Sequence, residues 1–305
     1  MTVSATSIPT ASPPDTRRFA LGVVAAAVLV AIWSVWIVST RQAATVHVPP
    51  VWLGMIRFAI PAMALAPFWW RVGLLPRGVD PRLIAVMILG AGAPFFLLIA
   101  TGLSYASAAE GGVLLGGTMP FFAALMAWAI DRERFGASRL VGFALIVGAM
   151  LAMGGNALLG GHGPGRLLLV LASVLWAGYT LAFRRSGIDA VAGAGIVAAW
   201  STILLLPLAL LEGTDSLFAI RTDVLISAVV TQGLLTGIVA LICYGAVVRI
   251  LGSSRAALMG ALPPAIAAVL AIPLLGEVPS VVTVVGIVLA VAGVSLATGA
   301  FKFGR

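Results

Sequence analysis

The chain has 305 residues and a mass of 31.2 kDa; 61% of its residues are hydrophobic, 9% are charged and its mean hydropathy is +1.15. A soluble domain carries about 25% charged residues, so these charges cannot cover a water-facing surface and the chain needs lipid as its solvent. The net charge of +8 comes from scattered arginines and one lysine, Lys302, without the concentrated basic face that nucleic-acid binding requires.

Residues 1–18 (MTVSATSIPTASPPDTRR) are rich in Ser, Thr and Pro and read as a disordered cytoplasmic tail. The apolar run after Arg17-Arg18 is too long for a signal-peptide core and reads as a first membrane helix. Ten apolar stretches of spanning length follow, at about 19–40, 51–70, 83–104, 108–130, 138–156, 167–184, 190–211, 224–248, 255–275 and 279–300, each near the roughly 20 residues a bilayer requires. Pro61, Pro94, Pro120, Pro207 and Pro264 fall inside them. Broken helices survive in lipid where neighbours or a cavity satisfy the freed backbone groups, so Pro120 and Pro264 are read as structural hinges. Trp52, Trp69, Trp70 and Trp128 lie near stretch ends and read as interface anchors.

With the N-terminus inside, fourteen cations fall in cytoplasmic segments and three, Arg41, Arg166 and Arg221, in outer ones. That asymmetry expects both termini in the cytoplasm and an even number of spans.

Several chemistries are excluded. Lys302 follows Phe301 and does not belong to a Gly-Lys-Ser/Thr phosphate loop. Cys243 is the single cysteine, and His47 and His162 lie far apart in loops, so no metal or disulfide pattern exists. Gly193 and Gly195 mimic part of a dinucleotide fingerprint, but no strand precedes them, and no cofactor is expected. Intramembrane proteolysis needs Asp pairs or a His within spans, and these stretches hold neither, so the chain is not expected to be an enzyme.

Shifting the sequence by 144 residues places Pro264, Glu277 and Gly286 on Pro120, Glu133 and Gly142, and eleven of 34 positions match between 114–147 and 258–291. A shift of 143 places Trp176 on Trp33 and Arg184 on Arg41. Two five-helix units are expected, 19–156 and 167–300. Because five is odd, they should sit upside down relative to each other, as in secondary transporters that alternate access to a midplane site.

The pattern Pro, Glu thirteen residues on and Gly nine further, in PFFAALMAWAIDRERFGASRLVG and PAIAAVLAIPLLGEVPSVVTVVG, resembles the EamA family of the drug/metabolite transporter superfamily. The Trp in LASVLWAGYTLAFRR and the Arg in WLGMIRFAIPAMALAP are similar to that family too. The resemblance implies an all-α integral membrane carrier of ten transmembrane helices, two inverted repeats and a central cavity. It also implies export or import of amino acids, other metabolites or toxic organic compounds across a cell (inner or plasma) membrane. Many bacterial relatives by resemblance are exporters, so export is expected, with uptake the first alternative and a channel or non-transporting membrane subunit behind it. The partners are then a small molecule and the bilayer; the oligomeric state stays open.

Arg57, inside the second stretch, is costly in lipid and suits a substrate carboxylate. Glu110, near the start of the fourth, is a candidate partner for Arg57, or a helix N-terminal acid. Glu133 and Glu277 each precede a helix and are expected to complement its dipole. Trp33 and Trp176, matched across the repeat, are candidate stacking surfaces. Tyr179, Gln232 and Tyr244 are further cavity candidates, because polar groups in lipid need partners. Small residues spaced by three or four, Ala108 to Pro120 and Gly286 to Ala297, indicate close helix packing.

Overall fold

The computed structural model describes residues 16–132, 134–154, 163–251, 259 and 262–298. All regular structure among them is helical. Helix α1 is Thr16–Thr45, α2 Pro50–Ala64, α3 Ala66–Val72, α4 Pro81–Ala91, α5 Ala93–Tyr105 and α6 Ala108–Gly111. A wide π turn, Gly112–Gly117, leads into α7, Met119–Asp131, followed by α8, Ala137–Gly154. The second half has α9, Gly163–Ser186, α10, Ala190–Glu212, α11, Thr214–Phe218, and α12, Thr222–Ala228. A longer π segment, Val229–Val239, joins α12 to α13, Ala240–Leu251; α14 is Pro263–Leu275 and α15 is Val281–Ala297.

Among the described residues, six continuous stretches are long and apolar enough to cross a membrane: Arg17–Thr45, Pro81–Tyr105, Ala108–Ile130, Gly163–Ser186, Ala190–Glu212 and Thr222–Leu251. A seventh, α2 with α3, qualifies as a pair bent by 74°. Ala137–Met153, Pro263–Leu275 and Val281–Ala297 are apolar but shorter. Each of the ten expected stretches contains helix, but among the described residues seven at most reach spanning length. Helix α1 already includes Thr16, Arg17 and Arg18, which were expected in the tail; residues 1–15 lie outside the described residues. So do Glu133, His162 and Lys302.

The prolines explain most breaks. Pro61 lies inside α2, one turn before the bend, and its carbonyl accepts from Leu65. Pro94 opens α5 after a kink at Gly92, where the Ala93 amide donates to Ser201 Oγ of α10 at 3.0 Å. Pro120 and Pro264 sit in the first turns of α7 and α14, where the missing N–H has no intrahelical partner to lose. Each opens a helix, and Pro120 does so midway along the Ala108–Ile130 stretch. Carbonyls of the Gly112–Gly117 turn accept from Ser173 Oγ of α9, at 2.8 Å to Leu114 and 3.0 Å to Leu115. The break is thus satisfied from a neighbouring helix, as lipid demands.

Packing exchanges the two halves. Helices α4 and α5 pack on α9, as α13 and the Val229–Val239 segment pack on α1. Helix α7 packs on α9, as α14 packs on α1, and α2 packs on α10 and α8 on α15, each with its own counterpart. The small-residue stripes do the packing expected of them. Gly286, Ala290, Gly293 and Ala297 are buried on α15, and a Cβ on Gly142 of α8 would come within 2.6 Å of the Gly293 carbonyl. Of the expected interface tryptophans, Trp70 and Trp128 are exposed. Trp52 and Trp69 instead turn inward, where their ring N–H groups reach Ser216 Oγ and the Ala62 carbonyl.

Candidate functional site

Arg57 projects from α2 at the junction of α1, α2, α5 and the Val229–Val239 segment. It lies seven residues from Pro50, about 10 Å along the helix axis. Its Nη1 donates to Gln232 Oε1 at 3.2 Å. The same oxygen accepts from Trp36 Nε1 at 2.8 Å, and Gln232 Nε2 donates to Thr40 Oγ1 at 2.8 Å. Thr40 in turn donates to the Trp36 carbonyl, one turn back on α1, at 2.7 Å. Gln232 is fully buried, so this chain fixes its amide orientation.

The guanidinium carbon lies 4.7 Å from the Trp36 ring centroid, 5.2 Å from Phe96 and 5.8 Å from Phe58. Phe58 and Phe96 meet edge to face, with centroids 6.0 Å apart. Negative ring faces attract a cation most strongly where water is scarce. Arg57 Nε is buried and has no hydrogen-bond partner among the described residues. The side chain as a whole keeps partial exposure.

Gln232 stands in a π segment whose signature is explicit: Thr236 Oγ1 donates to the Thr231 carbonyl five residues back at 2.6 Å. Widened turns of this kind frequently occur at functional sites.

The expected pairing of Arg57 with Glu110 does not form. Glu110 Oε1 instead accepts from Arg166 Nε of α9 at 3.1 Å. Its Oε2 accepts from the Ser107 amide at 2.9 Å, and Ser107 Oγ accepts from the Glu110 amide, a capping box on α6. The N-terminal reading of Glu110 is the one realised. Sequence does not give the direction in which each helix aims its charge.

Glu277 also departs from expectation. Ser280, not Glu277, caps α15. Glu277 reaches across to α6, accepting from the Ala108 amide at 2.9 Å and from Arg41 Nε at 2.6 Å. Arg41 Nη1 also donates to the Leu103 carbonyl at 2.6 Å. A dipole is complemented, but that of another helix.

The remaining candidates form two aromatic groups apart from Arg57. Trp33 meets Tyr244 at 6.3 Å between centroids; Trp176 meets Phe95 at 5.2 Å and Tyr179 at 5.0 Å, and Tyr179 stacks on Phe183 at 5.8 Å. Each matched tryptophan therefore packs on a ring from the third helical stretch of the other half. The reading by residue missed Trp36, Thr40, Phe58 and Phe96. Thr40 was the available signal: a polar side chain four residues after a tryptophan, within an apolar helix.

A family model described as the EamA-like transporter family matches residues 20–155 and again 163–299. The chain belongs to the EamA-like transporter family. It is a multi-pass membrane protein of a family of transporters, not enzymes. A solved structure titled "Crystal structure of protein" aligns at TM-score 0.62 and 19% identity, covering 93% of this chain and 99% of that one; that likeness shows the fold alone. A comparison with curated proteins finds no match.

Proposed function

We propose that this EamA-like protein is a secondary transporter of a cell (inner or plasma) membrane. It moves small organic metabolites, amino-acid-like or amphipathic, out of the cytoplasm by alternating access. The reading takes ten crossings with both termini cytoplasmic and the two halves inverted. The observation that carries it is the exchange of packing between halves, in which each major helix contact has a counterpart. Two such halves can trade conformations and move the opening from one face to the other. Export rests on the family's range and on no residue, so uptake stays the second direction.

Purified protein in liposomes should catalyse saturable counterflow of a preloaded amino-acid or aromatic metabolite. Leakage proportional to concentration, with no counterflow across a broad metabolite panel, would reject carriage.

A further inference from the structure

Arg57 carries a charge in the apolar interior without a carboxylate partner among the described residues. Two other arginines have carboxylate partners, in Arg41–Glu277 and Arg166–Glu110, and an exposed pair joins Arg221 to Asp223. What holds Arg57 is one hydrogen bond to Gln232 and the faces of Trp36, Phe58 and Phe96. Rings stabilise the charge but take no N–H bond, so Nε–H stays buried and unanswered. An unmade bond of this kind is costly, and more so for a charged group.

The geometry points to an organic anion as the group that completes the site; this rests on the transporter reading and narrows its substrate class. Nε with the adjacent Nη2 forms the guanidinium edge that a carboxylate takes through two parallel bonds. Nη1, on the far side, is already committed to Gln232. Gln232 Oε1 is filled by Trp36 and Arg57 together, so it orients the fork and does not compete for the anion. The three rings give the wall against which an apolar or aromatic body would lie. A cationic substrate finds no anion there, because Glu110 is held by Arg166 and Ser107. The site therefore prefers a carboxylate to its amide and rejects the corresponding amine.

Wild-type protein in nanodiscs is titrated with phenylacetate, phenylacetamide and phenethylammonium, then with benzoate and benzamide, followed by calorimetry and thermal unfolding. The carboxylates should bind at least tenfold more tightly than their amides, and the amine should not bind. Arg57→Lys, which keeps a point charge but not the fork, should lose about tenfold for the carboxylates. Arg57→Gln should abolish the difference between acid and amide. Arg221→Gln, at an exposed pair, should leave binding unchanged. No acid preference in either probe series overturns the proposal, as does an acid preference that survives undiminished in Arg57→Lys or in folded Arg57→Gln. Binding of the acids without counterflow would sink the transporter reading and leave the anion site standing. Counterflow of amines or amides without acid preference would do the reverse.

Discussion

Gln232 is the residue on which the Arg57 site turns. Its oxygen answers two donors and its nitrogen a third group, so every partner depends on one amide. Arg57 and Gln232 stood out in the sequence because polar groups inside apolar stretches are rare and expensive. Trp36, Phe58 and Phe96 did not, because aromatic residues in an apolar run look the same whether they pack or surround a charge. Arg166 was counted only as a loop cation, and so its hold on Glu110 was invisible. Replacing the amide by an acid gives a direct check. In Gln232→Glu the carboxylate would pair with Arg57 from within the protein. Unfolding temperature should hold or rise, while affinity for phenylacetate drops tenfold or more. An unchanged affinity would mean that Arg57 does not bind the anion.

At the scale of elements, the proline positions made most breaks legible, while the π turns stayed hidden in ordinary Gly, Val and Leu. The repeat also recurs in a detail of helix termination. Helix α7 ends at Arg132 with φ 55° and ψ 29°, and α14 ends at Gly276 with φ 68° and ψ 14°. These two residues are matched by the 144-residue shift. Glycine adopts the left-handed conformation freely, whereas arginine meets its own Cβ there. At Gly276 the stop also closes a 6→1 bond from the Glu277 amide to the Ala271 carbonyl at 3.2 Å, fixing the base of the side chain that reaches Arg41. Arg132→Gly should therefore stabilise by about 1 kcal/mol, and Gly276→Ala should destabilise by a similar amount. Thermal unfolding in detergent checks both. Opposite signs would mean that these caps are not strained as their dihedral angles indicate.

Across the whole molecule, the two ends are not alike. At the end formed by Thr45, Tyr105 and Leu275, Arg41 ties α1 to Glu277 and to the Leu103 carbonyl, and Glu110 ties α6 to α9. Ala106 and Ala108 between them are completely buried. At the opposite end Arg184, the repeat-related residue of Arg41, is exposed. On the alternating-access reading proposed above, one end of two matched halves closes while the other opens, and the Arg41–Glu277 contact is then expected to break in each cycle. Charged hydrogen bonds of this kind contribute about 1.5–3 kcal/mol. Removing the charge in Glu277→Gln should raise the population open at this end by about tenfold or more, since about 1.4 kcal/mol is a factor of ten. With Cys243→Ser as background and Ala106→Cys as reporter, a membrane-impermeant maleimide should label slowly. Adding Glu277→Gln should speed labelling by that factor, and Arg41→Gln should do the same. Rapid labelling without either change, or no acceleration with both, would mean that this ion pair does not hold the end shut.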